Sequence, residues 1–112
     1  MSGISTHILD LTLGLPAAGV AVKLLRWSGG HWSEIAEQRT DSDGRCRELL
    51  ALADVSASVY RIVIDTGAYY EASGAPLLYP DVSITFQVRS AASSYHMPLL
   101  LSPNGYTTYR GS

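Results

Sequence analysis

The sequence predicts an all-β protein, a sandwich or small barrel of about eight short strands, and three observations carry that reading. Apolar and polar residues alternate over several stretches of strand length. Gly, Pro and Asp-Gly breakers recur at short intervals between those stretches. Only one segment has helical spacing, and it is short. At 112 residues the chain is one domain, residues 1–112. A chain of this size buries roughly two thirds of its unfolded surface, so a core forms without staples.

Taken in order, THIL places His7 in an apolar N-terminal strand, and LGLPAAG, with Gly14, Pro16 and Gly19, is turn material. GVAVKLLRW puts Val20, Val22 and Leu24 on one face with Lys23 turned the other way. SGGH breaks the chain, and HWSEIAEQRT runs back from it as the second arm of a hairpin. TDSDGR is a turn, because Asp43-Gly44 favours positive φ and Asx hydrogen bonding. ELLALADVSAS is the one helical candidate, of one to three turns, with Leu49, Leu50 and Ala53 at helical spacing. VYRIVIDTG alternates with either face a candidate for the core, and AYYEASGAPLLYP reads as irregular. DVSITFQVRS turns Val82, Ile84, Phe86 and Val88 inward. SYHMPLLL and GYTTYRG form the last two strands around a Ser-Pro-Asn-Gly turn, and Pro98 predicts a strand edge or a bulge.

Composition narrows the function classes. Eight Lys and Arg against ten Asp and Glu leave a net charge of −2 with no basic stripe, which argues against a nucleic-acid partner, since phosphate contacts need clustered cations. Cys46 is the single cysteine, so no intrachain disulfide forms and no Cys-built metal site is suggested. Beside Arg45 it reads as an incidental small residue. The start carries no basic leader ahead of an apolar run, and no run approaches a membrane span. A soluble, cytoplasmic protein with no membrane partner is the expectation. No Walker loop, HExxH pair or Gly-x-Ser-x-Gly elbow occurs. None of His7, His31 and His96 has a second His or Cys at a short chelating spacing.

What remains is polar chemistry set in strand-like sequence: His7, His96 in YHMP, Arg45 after the Asp-Gly turn, and Arg110 near the C-terminus. Taken singly, a strand histidine is more often structural than catalytic, and an arginine after a turn usually faces solvent. Together, two histidines and two arginines suit a site that deprotonates water and steadies an anion.

The segments THILDLTLGLPAAGVAVKL, TDSDGR and YHMPLLLSPNGYTTYRGS together resemble the 5-hydroxyisourate hydrolases, the enzymatic, transthyretin-like relatives of the thyroid-hormone carrier. The resemblance runs along essentially the whole chain, and its most specific element is the closing YRGS. It implies a transthyretin-like two-sheet sandwich of about eight strands with one short helix, assembled as a homotetramer, a dimer of dimers. It also implies an activity in urate degradation: hydrolysis of 5-hydroxyisourate to 2-oxo-4-hydroxy-4-carboxy-5-ureidoimidazoline, with no cofactor and no metal.

Carried over by motif, the catalytic residues implied are His7, Arg45, His96 and Ser112, with Tyr109, Arg110 and Gly111 binding substrate in a cleft between subunits. Arg47 lies outside the Asp-Gly-Arg motif. His7 and His96 are expected to polarise water, Arg45 to clamp the developing anion, Ser112 to position water or substrate and Tyr109 to shape the cleft. Ser112 is not expected to act as a covalent nucleophile, because nothing resembles a triad that would activate it. Four positions depart from the pattern. Ser93 and Ser94 stand where many relatives have Glu-His, Asn104 replaces a frequent aromatic, and Ser58 replaces a frequent Gly. A small-ligand carrier of the thyroid-hormone type is the alternative, since the same sandwich serves both, and a sandwich that self-associates through exposed strands is the blander one.

Overall fold

The structure, a computed structural model, describes residues 1–112. In chain order it contains β1 (Ser2–Asp10), β2 (Leu15–Pro16), β3 (Ala21–Ser28), β4 (His31–Arg39), β5 (Arg45–Ala51), a 3₁₀ turn (Leu52–Asp54), β6 (Val59–Ile64), α1 (Thr66–Ser73), β7 (Val82–Gln87), β8 (Tyr95–Ser102) and β9 (Gly105–Thr108). One sheet runs β2-β1-β8-β9, with β5 also paired to β1; the other runs β4-β3-β6-β7. The fold is a two-sheet β-sandwich with one short helix.

Strand alternation decides which faces meet. Ile4, Ile8, Leu99 and Leu101 of the first sheet pack with Val22, Leu24, Tyr60, Ile62, Ile64 and Val82 of the second in one buried cluster. This settles the ambiguous β6, whose Tyr60, Ile62 and Ile64 are fully buried while Arg61 turns outward. The β3–β4 hairpin closes at Ser28↔His31 through Gly29 and Gly30, both at positive φ (60° and 83°), as a primed two-residue turn requires.

The helix lies elsewhere than the sequence predicts. ELLALADVSAS supplies the end of β5 and the 3₁₀ turn, whereas the helix is Thr66–Ser73, inside the stretch read as irregular. Two β1 steps, Ile4 to Thr6, are matched by four β5 steps, Leu50 to Cys46. That irregularity breaks the two-residue period and buries Cys46 and Leu49 at an interval of three, which imitates a helix face. The true helix has weak apolar periodicity but sound ends. Asp65 caps it by accepting from the Ala68 amide, and Gly74 ends it at φ 73°.

Pro98 sits in an interior strand, against the expectation of an edge. The carbonyls of His96 and Pro98 both turn toward the C-terminal segment, where they accept from Gly111 N–H and Thr108 Oγ1–H. The β8–β9 ladder ends at Leu99↔Thr108, so the missing Pro98 N–H falls just where no ladder partner is required.

Candidate active site

β1 organises the site because it is the strand that touches both others. Its odd residues, Ser5 and His7, face away from the core. Ser5 pairs with His96 on the parallel neighbour β8, and His7 pairs with Arg45 on the antiparallel neighbour β5. Three of the residues singled out by sequence therefore share one outward face by register alone.

The TDSDGR turn fixes two of them. Asp41 Oδ1 accepts from the amides of Asp43 and Arg45, both at 2.9 Å. These bonds, that from Arg45 foremost, hold the Asp41 carboxyl below the usual carboxylate range. Gly44 adopts φ 76°, and a Cβ there would run into the Ile8 carbonyl oxygen. The turn thus presents the Asp43 carbonyl to His7, whose Nε2–H donates to it at 2.8 Å. A carbonyl oxygen only accepts, so neutral His7 carries its proton on Nε2 and its basic nitrogen is Nδ1.

The same turn separates the two arginines. Arg47 is paired with Asp41 at 3.5 Å and with Asp43 at 3.2 Å. Arg45, half-buried beside it, has no carboxylate partner and lines the cleft. The cation left uncompensated is the one the sequence singled out.

The cleft at His96 has a volume of about 260 Å³ and is lined by Ser2, Ser5, Arg45, Ser94, His96, Gly111 and Ser112, with no apolar side chain among them. His96 is half-buried, with Nδ1 2.8 Å from Ser5 Oγ. On the far edge of its ring lies Gly111, whose amide donates to the His96 carbonyl at 2.7 Å. A Cβ on Gly111 would stand 2.8 Å from the ring's Cδ2, too close for any ordinary contact. Burial first, and then the charges of Arg45 and His7, push the His96 pKa below the ordinary 6.5. The imidazole is therefore neutral at neutral pH.

Not every predicted residue meets there. His7 opens into an adjoining concavity with Leu9, Pro16, Asp43, Arg45 and Arg47, and Arg45 is the wall common to both. Arg110 points away from His96 within the chain; its Nη2–H donates to the Ser94 carbonyl at 2.9 Å, and its guanidinium lies 4.1 Å from the Tyr95 ring centroid. Tyr109 is about half exposed and outside the lining. Gly111 and Ser112 are the tail residues that reach His96. Sequence reasoning passed over Ser5 and Ser94. Ser5 had a usable signal, since it stands two residues before His7 and shares its strand face.

A second concavity, about 370 Å³, lies against the other sheet with Lys23, Arg39 and Asp65 in its wall. Its cations are engaged, Lys23 by Glu34 and Glu37 and Arg39 by the Gly19 carbonyl. Cys46 is buried and its thiol is pushed up to about 11 by burial and by Asp41, so it stays protonated.

Two β-sheets face to face, with one polar histidine–arginine cleft on the outer face of the β1-containing sheet, define a transthyretin-like sandwich whose cleft is built for polar chemistry. The model of the HIUase/Transthyretin family matches residues 4–111. The chain belongs to that family. It is 47% identical to the 5-hydroxyisourate hydrolase of Caulobacter vibrioides, over all of both chains. With that of Mus musculus it shares 39% identity, covering 99% of this chain and 96% of the relative. Among solved structures it superposes on transthyretin from Sparus aurata with a TM-score of 0.93 at 32% identity, over 99% of this chain and 97% of that one. On 5-hydroxyisourate hydrolase from Klebsiella pneumoniae the TM-score is 0.87 at 36% identity, over 99% of this chain and all of that one.

Proposed function

We propose that this protein hydrolyses 5-hydroxyisourate in urate degradation, giving 2-oxo-4-hydroxy-4-carboxy-5-ureidoimidazoline. The observation that carries this reading is the cleft that joins a neutral His96 to the uncompensated Arg45, with Ser112 at its rim and no apolar side chain in its lining. A half-buried, uncharged imidazole takes a proton from water at neutral pH. The hydroxide-like water attacks the C6 carbonyl of the ring. Negative charge then grows on that oxygen, where a guanidinium steadies it more than it steadies the ground state. The tetrahedral intermediate then collapses: the bond from C6 to the ring nitrogen breaks, that nitrogen takes the proton His96 drew from water, and the acid left at C6 gives its own proton to solvent and becomes a carboxylate. His7 lies diagonally across from His96 and contributes its field and its free Nδ1. Ser112 orients water or substrate through its hydroxyl, and Arg110 and Tyr109 serve the shared cleft of an assembled protein.

The sea bream transthyretin structures, one in complex with thyroxine, have the same fold. Fold alone does not choose between carrier and hydrolase; the lining does, because a large aromatic ligand calls for apolar walls. The assembly proposed is a homotetramer, a dimer of dimers. Its support is the apolar surface left uncovered at Leu11, Leu13 and Leu15, which are 56%, 62% and 58% exposed around β2.

The test is the spectroscopic decay of freshly made 5-hydroxyisourate at catalytic protein concentration, with sedimentation of the same sample. Acceleration over the spontaneous reaction is expected, and His96→Asn is expected to lower kcat by about a hundredfold or more, the usual worth of a positioned acid or base. Decay no faster than without protein would remove the hydrolase reading.

A further inference from the structure

We propose that Ser5 is a positioning residue for His96: its Oγ accepts from the ring's Nδ1–H, so that Nε2 presents its lone pair to the cleft. The two atoms are 2.8 Å apart, an ordinary hydrogen-bond length. The contact is built into the fold, because Ser5 and His96 are register partners on the adjacent parallel strands β1 and β8. Gly111 closes off the opposite edge of the ring. The imidazole is thus held on both sides, and Nε2 is the nitrogen left for water or substrate.

The chemistry makes this pairing matter. A free imidazole in water favours the tautomer with the proton on the distal nitrogen, which is the wrong one for a base acting through Nε2. The hydrogen bond made by one ring nitrogen decides which nitrogen carries the proton. A serine hydroxyl both donates and accepts, so Ser5 can accept from Nδ1–H. When Nε2 takes a proton, the Nδ1–H bond to Ser5 becomes charge-assisted and strengthens without rearrangement. Ser5 gives the imidazolium a fixed partner and brings no charge of its own into the cleft.

This inference rests on the reading of His96 as the group that handles water, so its test includes a readout that needs no turnover. Ring-nitrogen NMR of His96 in the intact protein, above its titration, reports the tautomer directly. The wild type is expected to carry the proton on Nδ1. Ser5→Ala should move it toward Nε2 and lower kcat about tenfold, the worth of one hydrogen bond to a charged group, with KM little changed. Ser5→Thr, which keeps a hydroxyl on the same strand face, should restore both the tautomer and most of kcat. If Ser5→Ala does not fold, the wild-type spectrum and Ser5→Thr still decide the matter. A wild-type ring protonated on Nε2 overturns the proposal, and so does a Ser5→Ala protein with wild-type tautomer and kcat. Failure of the hydrolase reading would appear separately, as wild-type protein that leaves 5-hydroxyisourate to decay unaided.

Discussion

Arg45 and Arg47 stand two residues apart on one strand and meet different fates, because the Asp-Gly turn gives its carboxylates to only one of them. The free one shapes the titration of His96. Its charge, with that of His7, opposes protonation of an imidazole already disfavoured by burial. Arg45→Gln removes that charge, so the His96 pKa should rise toward 6.5, its ordinary value, without reaching it while burial persists. Titration of the His96 ring by NMR checks this, and an unmoved value would show that Arg45 does not act on the ring. The sign carries into stability. Because the folded pKa is the lower one, His96 adds stability that is full above 6.5 and is lost as pH falls through the depressed value. Gly111 makes a steric counterpart, since a methyl group there would press on the His96 ring. Gly111→Ala should displace the imidazole and lower kcat about a hundredfold, as ångström-scale misplacement does, with the thermal midpoint little changed; turnover at the wild-type rate would show that the ring can yield.

At the scale of elements, the site was legible where strand periodicity was regular and hidden where it was not. Alternation in β1 puts Ser5 and His7 on one face, but only the pairing with β5 and β8, which no local pattern states, brings Arg45 and His96 to them. The helix was misplaced because the irregular β1–β5 pairing gave a strand a helical spacing, while the real helix depends on its two ends and its docking. That docking runs through Asp10, a nearly buried carboxylate at the end of β1. It accepts from the amides of Thr12 and Leu13 at 2.9 and 3.1 Å and from Tyr69 Oη–H of α1 at 2.6 Å. Burial and the bond to Asp10 together raise the Tyr69 pKa far above its usual value, so the phenol remains the donor. Tyr69→Phe should cost about 1.5 kcal/mol, read by urea unfolding at fixed protein concentration. It should leave kcat unchanged, because α1 packs away from the His96 cleft. A drop in kcat would mean that α1 reaches the site through β1.

On the scale of the whole molecule, shape and chemistry separate. The chain superposes slightly better on a transthyretin than on a hydrolase, TM-scores 0.93 and 0.87, so the backbone does not carry the distinction; the residues lining the cleft do, and the C-terminal tail supplies two of them, Gly111 and Ser112. Chain ends usually fray, yet this one is tied down. Gly111 bridges to His96 as a strand partner, and Arg110 is held by the Ser94 carbonyl and the Tyr95 ring. Deleting Tyr109 through Ser112 leaves β9 and its ladder to β8 intact, since that ladder spans Gly105 to Thr108. The truncated protein should therefore remain a soluble sandwich. It loses the wall that confines the His96 ring and the Ser112 hydroxyl at the cleft, and turnover should fall about a hundredfold. A bulky tag fused after Ser112 should do similar harm, whereas one fused ahead of Met1 should do less. Size-exclusion chromatography beside the assay separates a damaged cleft from lost assembly. A truncated protein of wild-type size with wild-type turnover would show that the tail, though ordered, is not part of the machinery.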